Sequence, residues 1–226
     1  MELNKHTANQ LKKLYRLKKR EIISRLKEFS KIWTYGNDEE IFTELAFCIL
    51  TPQSRAKSCW DAIVRLKEQD LLLKGNPAQI RQRLNCVRFR NKKAEYIVKA
   101  RNLFMTSSHI HENPPFPPLL KPLLSMFTDI YECRDWLVEN IKGMGYKEAS
   151  HFLRNIGFWR NIAILDRHIL KNLKLLNVIE EIPEALSRKK YLQIEKRMAD
   201  FAMKTGIPLH HLDLLLWYKE TGEIFK

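Results

Sequence analysis

Glycine is scarce in this chain, with seven in 226 residues, and helix-forming residues dominate what remains. Cysteine is scarcer still. Cys48, Cys59, Cys86 and Cys133 stand far apart, and none has the C-x-x-C spacing of a zinc or redox site. No cysteine cluster lies near the C-terminus, which removes the usual holder of an iron–sulfur centre. Isolated cysteines in apolar segments read as small core residues and fit a reducing cytoplasm. The N-terminal MELNKHTANQLKKLYR lacks an apolar run of signal length, and no segment is long enough to span a membrane. The expectation is a soluble, cytoplasmic protein without metal or cofactor. Alternation of strand length is missing, as are internal repeats and low-complexity tracts, so the chain reads as all-α, with about a dozen helices.

Acidic residues are the minority among charges. Twenty-six Asp and Glu face 40 Lys and Arg, a formal net charge of +14. Such an excess suits a nucleic-acid partner, because each cation that neutralises a phosphate releases counterions. A lysine-rich surface alone is the plainer explanation. Hydrophobic residues make up 45% of the chain, enough for a real core and too many for a disordered segment.

The expected helices follow from periodicity and punctuation. Leu11, Leu14, Tyr15, Ile22, Leu26 and Phe29 recur at helical spacing behind Thr7, a candidate cap, and Tyr35-Gly36-Asn37 ends that element. Asp38, Glu39 and Glu40 then occupy a helix start. IFTELAFCIL is apolar all round, so it predicts a buried central helix. Pro52 stops it, and TPQS is a turn. Asn76-Pro77 opens a further helix. HENPPFPP, with four prolines in eight residues, reads as an extended loop and a candidate hinge between two lobes.

DWLVENIKGMGYKEASHFLRN then reads as helix, hairpin, helix, spanning roughly residues 135–157. Gly143 and Gly145 permit left-handed backbone angles and close approach to another surface. The unpaired amides at the following helix start form an anion site, to which the helix dipole adds. In a basic protein a DNA phosphate is the natural anion, although a tight helix–helix turn would look the same. Lys147 falls in the first turn of the second helix. There the dipole and partial burial both disfavour an ammonium, and the free amine is the nucleophilic form. Nineteen residues later, Asp166 ends an apolar run at a helix N-cap. Aspartate is common at such caps. If the two helices pack, however, a lysine and a carboxylate share one cleft. That pair suits attack at a sugar carbon, with the carboxylate stabilising a cationic sugar.

KGMGYKEAS followed by ILDRHIL resembles the helix-hairpin-helix DNA glycosylase superfamily, and more closely its type-2 8-oxoguanine DNA glycosylase/AP lyases. The likeness takes in LTPQSRA, NKKAEYI and the ending LLLWYKETGEIFK. It departs before the aspartate, where Ile164-Leu165 replaces the superfamily's frequent Gly-Pro or Val-Pro step. The resemblance implies a two-lobed helical fold over residues 1–226, with a DNA cleft between the lobes. It also implies a monomer acting on double-stranded DNA that contains 8-oxoguanine. Lys147 would attack C1′ of the damaged nucleotide, form a Schiff base and nick the strand by β-elimination, with Asp166 assisting. Gly143 and Gly145 would offer amides to a phosphate, with His168 adding a contact. Gln53 would fill the gap left by the flipped base.

8-Oxoguanine carries a hydrogen at N7 where guanine has an acceptor, so a buried acceptor at that point would discriminate sharply. Asp213 and Trp217 are four apart on one helix face, suited to contact and stack on a flipped base. A solvated aspartate and a core tryptophan are the ordinary alternatives. In the resembled family a C-terminal lysine helps to tell 8-oxoguanine from guanine, and Lys226 fits that role. His151, one turn after Lys147, is either a wall of the same pocket or a packed histidine. Two other functions compete. An endonuclease III-like pyrimidine-lesion glycosylase would lack its usual cysteine cluster here, and a non-catalytic helix-hairpin-helix or RNA-binding module would leave Lys147 and Asp166 unexplained.

Overall fold

The computed structural model describes residues 5–106 and 120–226, and every regular element among them is a helix. The proline-rich HENPPFPP segment lies outside the described residues. The first helices are α1 (Lys5–Tyr35), α2 (Asp38–Leu50), α3 (Ala56–Glu68), α4 (Leu71–Lys74), α5 (Pro77–Arg83) and α6 (Arg90–Thr106). They are followed by α7 (Leu120–Leu124), α8 (Ile130–Asn140), α9 (Tyr146–Asn155), α10 (Arg167–Leu175), α11 (Arg188–Thr205) and α12 (Leu209–Thr221). The chain divides into two compact units. One comprises Met1–Ser30 with Gly157–Lys226, and the other Lys31–Ile156.

In the Lys31–Ile156 unit, α2 is the central element. Asn37 caps it in a reciprocal box with Glu40, and three acidic residues occupy its first turn. Every residue from Ile41 to Leu50 is buried, as an all-round apolar helix requires. It packs on α3, α6, α7 and α9. Asn76 and Gln79 form the same reciprocal box at α5, with Pro77 at its first position.

The other unit is built from the first part of α1 with α10, α11 and α12. Ile22, Leu26 and Phe29 of α1 are buried, as are Tyr191, Ile194, Met198 and Phe201 along one face of α11. Helix α1 is already formed at Lys5, which places Thr7 inside it and not at its cap. Position 157 has no room for a side chain. Its φ is +99°, and a Cβ there would lie 2.9 Å from the Ser30 backbone.

A stacked group at the start of α12 carries a pH dependence. His210 lies 4.3 Å from the Trp159 ring and 4.6 Å from His211, centroid to centroid. Burial, then the neighbouring His211 and Arg160, pull its imidazole down to about 4. The folded form therefore stays neutral between about pH 6.5 and 4, a window in which the unfolded chain takes up a proton. Stability should fall as pH drops through this window. After allowance for partial exposure, the loss is about 1–2 kcal/mol. A His210→Asn variant should show a shallower acid limb in chemical unfolding measured from pH 7 to 4.

Candidate functional site

The hairpin predicted from sequence is present as α8, a turn from Ile141 to Gly145, and α9. It is braced across its two helices. Arg134, fully buried, donates to Ser150 Oγ at 3.1 Å, and its guanidinium lies 5.7 Å from the Tyr146 ring centre. Tyr146 in turn donates to Asp135 Oδ1 at 2.7 Å. At the far end of α9, Asn155 donates to Glu44 Oε2 of α2 at 2.9 Å.

The two hairpin glycines differ from expectation. Gly143 does take the left-handed region, with φ +84°, and a Cβ there would meet the Tyr96 ring at 2.4 Å. Both conformation and space therefore demand glycine. Gly145 does not: its φ of −100° and ψ of −176° are extended backbone open to other residues. The expectation of left-handed angles at both positions is corrected to Gly143 alone. The Gly145 amide also has an acceptor already, Glu148 Oε2 at 3.2 Å, the return half of a capping box.

Lys147 is the second residue of α9, with its side chain about one-quarter exposed at 23%. Its ammonium pairs with Glu148 Oε1 at 2.8 Å and lies 3.4 Å from Thr51 Oγ1. Glu148 thus spans the nucleophile candidate and the hairpin amide with its two oxygens. Thr51 is the C-cap residue of α2, and its hydroxyl donates to Cys48 O at 2.9 Å. His151 is buried one turn further along α9, edge-on to Phe47 at 5.5 Å.

Next to Thr51, Gln53 is exposed at the tip of its turn with φ +53°. Beneath it lies a residue that sequence reading passed over. Lys93 of α6 is only 3% exposed, and its Nζ donates to Leu50 O at 2.7 Å, Pro52 O at 2.6 Å and Ser54 Oγ at 3.1 Å. Burial is the main cause that draws Lys93 down to about 8, with Cys59 and Glu148 opposing and Lys147 adding to the shift. The Cys59 thiol, itself pushed up to about 11 by burial, donates to Leu50 O at 3.2 Å.

The second unit carries the other group of sequence candidates. Asp166 is the N-cap of α10, and its Oδ1 accepts from the amides of His168 and Ile169, each at 2.8 Å. Among the described residues its Oδ2 has no hydrogen-bond partner. The extended segment leading to it is pinned by α11. Glu195 accepts the Ala163 amide at 2.7 Å, and the Tyr191 hydroxyl accepts from the Leu165 amide at 3.2 Å while donating to Ala163 O at 2.6 Å. Both side chains are buried, so this carboxylate sits on a fixed strut.

His168 lies edge-on to Trp217, 5.2 Å between centroids, and its Nδ1 is 3.9 Å from Glu220 Oε2. Glu220 also accepts from Lys171 at 2.8 Å and Asn172 at 2.9 Å. These bonds, that from Lys171 foremost, hold its carboxyl below the usual range. Trp217 is partly exposed, and Asp213, four residues before it, is buried at 4%, which rules out the solvated alternative. Lys226 is partly exposed after the left-handed Gly222 that ends α12. No helix among the described residues is long and apolar enough to cross a membrane.

Helices alone among the described residues, with a braced hairpin carrying a lysine on its second helix, are the arrangement expected of the helix-hairpin-helix DNA glycosylase class. The family model described as 8-oxoguanine DNA glycosylase matches residues 22–207. An 8-oxoguanine DNA glycosylase/AP lyase of Fusobacterium nucleatum is 48% identical over 218 residues, covering 96% of this chain and 97% of that one. The crystal structure of the 8-oxoguanine DNA glycosylase of Thermotoga maritima superposes with a TM-score of 0.82 at 32% identity, covering 98% of this chain and 99% of that one. A Methanocaldococcus jannaschii 8-oxoguanine glycosylase/lyase, solved in complex with a 15mer DNA containing 8-oxoguanine, gives a TM-score of 0.80 at 38% identity, covering 96% of this chain and 99% of that one. The chain belongs to the 8-oxoguanine DNA glycosylase family.

Proposed function

We propose that this protein excises 8-oxoguanine from double-stranded DNA and then nicks the abasic strand, acting as a monomer without metal or cofactor. The observation that carries the chemistry is Lys147 on the first turn of the hairpin's second helix. It is partly buried and held by Glu148 and Thr51. Its free amine attacks C1′ of the flipped nucleotide, the C1′–N9 bond breaks, and the bond electrons leave with the base. Loss of the amine protons and opening of the sugar give an imine. Removal of a C2′ proton then expels the 3′ phosphate by β-elimination. Asp166 supplies the negative charge that stabilises the cationic sugar as the base departs.

DNA is gripped through the hairpin amide of Gly143 and, once Glu148 is displaced, that of Gly145, with His168 adding a phosphate contact. Gln53 enters the gap in the duplex. Trp217 stacks on the expelled base, and Asp213, Lys226 and His151 each take part in telling 8-oxoguanine from guanine. The 48% identity to an 8-oxoguanine DNA glycosylase/AP lyase, across nearly the whole of both chains, supports this over a binding module.

Borohydride trapping tests it, on duplexes that differ only by 8-oxoguanine or guanine at one site. A covalent complex with the lesion duplex alone is expected, and deletion of Lys226 should erase that preference. Absence of any complex on either duplex removes the Schiff-base mechanism.

A further inference from the structure

Gln53 has a side chain in a backbone region that side chains avoid, with φ +53°. An exposed residue persists there only when its surroundings over-determine it. Lys93 is placed to do so. Its three acceptors, Leu50 O, Pro52 O and Ser54 Oγ, bracket Gln53 on both sides. They take all three ammonium protons, which is how a charge this deeply buried is tolerated. Ser54 Oγ also accepts the Arg88 amide at 3.0 Å, so the turn is fastened to the chain just before α6 as well as to α6 itself. Burial draws Lys93 down to about 8, the cost of keeping a cation where an apolar side chain would pack more easily.

We propose that Lys93 is a positioning residue whose buried ammonium locks the turn from Leu50 to Ser54 and so presents Gln53, at fixed height and angle, to the gap left by the flipped nucleotide. This rests on the reading of Gln53 given under Proposed function. Lys93 touches neither substrate nor reacting atoms; it acts through the turn. The plain alternative is that it only caps the last carbonyl of α2 for stability.

The two roles separate on two substrates. A duplex with a preformed abasic site has no base to evict, so it needs Lys147 and much less of Gln53. Lys93→Met should lower the single-turnover excision of 8-oxoguanine by roughly tenfold or more, while nicking of the abasic duplex changes by less than about threefold. Gln53→Ala should give the same selective loss, and the double variant should lose no more than the single ones. Parallel losses on both substrates, unchanged rates on both, or additive losses in the double variant overturn the proposal. Thermal unfolding checks the fold. If Lys93→Met does not fold, Ser54→Ala removes one acceptor and is read on the same two substrates, with a smaller selective loss expected and a parallel or absent one overturning the idea. The wild-type chain run alongside reports on the function itself. If it nicks abasic DNA and leaves 8-oxoguanine in place, the substrate reading fails and this proposal goes with it, whereas full wild-type activity with unselective variants removes this proposal alone.

Discussion

Replacing Lys147 with glutamine should abolish the borohydride-trapped adduct and lower strand nicking by about 10³-fold or more, roughly 4 kcal/mol of lost barrier reduction, while leaving duplex binding largely intact. Glutamine is one atom shorter but keeps a polar donor facing Thr51 and Glu148, the two partners that Lys147 has in the structure. What it cannot do is form a bond to C1′ and carry that bond through to an imine. Fold stability should move little, because the Lys147–Glu148 pair is one partly exposed ion pair between chain neighbours. Binding, by contrast, rests on many cations spread over a +14 chain, of which one is removed. Gel-shift affinity together with single-turnover nicking would measure both. Nicking that survives the substitution would take the nucleophile's role away from Lys147, and loss of nicking together with binding would make Lys147 a contact residue instead.

The sequence was most informative where local chemistry decides the outcome. The acidic run Asp38, Glu39 and Glu40, and Asn76 with Pro77, mark helix starts through short-range interactions. The buried α2 followed from apolar residues on all sides, and the hairpin from two glycines between amphipathic stretches. The short helices α4 and α7 went unread, because four or five residues carry no periodicity to detect. Asp166 was legible as an N-cap for the same local reason. The strut that fixes it was not, since Tyr191 and Glu195 reach it from more than twenty residues away.

Side-chain partnership was the hardest part to foresee. Lys147 forms an ion pair with its own neighbour, Glu148, a partner that sequence reading did not name. A signal did exist: glutamate three residues after a glycine N-cap is a capping-box position, and that box is what occupies Gly145. Lys93 gave no such signal. In NKKAEYI it looks like one more surface lysine on a basic helix, and only the packing of α2 on α6 turns it inward. Burial of a charge is a tertiary property that composition cannot reveal.

Asp166 offers the second large effect, and here the variant must be chosen so that two roles come apart. Its Oδ1 caps α10 through two amides, a structural duty that asparagine performs about as well as aspartate. Its Oδ2 has no hydrogen-bond partner among the described residues, and it carries the charge that the proposed chemistry needs. Asp166→Asn should therefore keep thermal stability within about 1 kcal/mol, the dipole term being the only loss. Excision should meanwhile fall by about 10²–10³-fold, the scale expected when a preorganised charge is removed from a transition state. Asp166→Ala should lose both, with about 1–2 kcal/mol of stability gone along with the cap. A second readout follows from the order of events. Nicking of a preformed abasic site bypasses departure of the base, so it should suffer less from Asp166→Asn than excision does. If the asparagine variant excises at the wild-type rate while the alanine variant unfolds early, Asp166 is a cap and nothing more, and the charge that stabilises the sugar cation has to come from another carboxylate. Glu148, already 2.8 Å from the Lys147 amine, is then the first to replace.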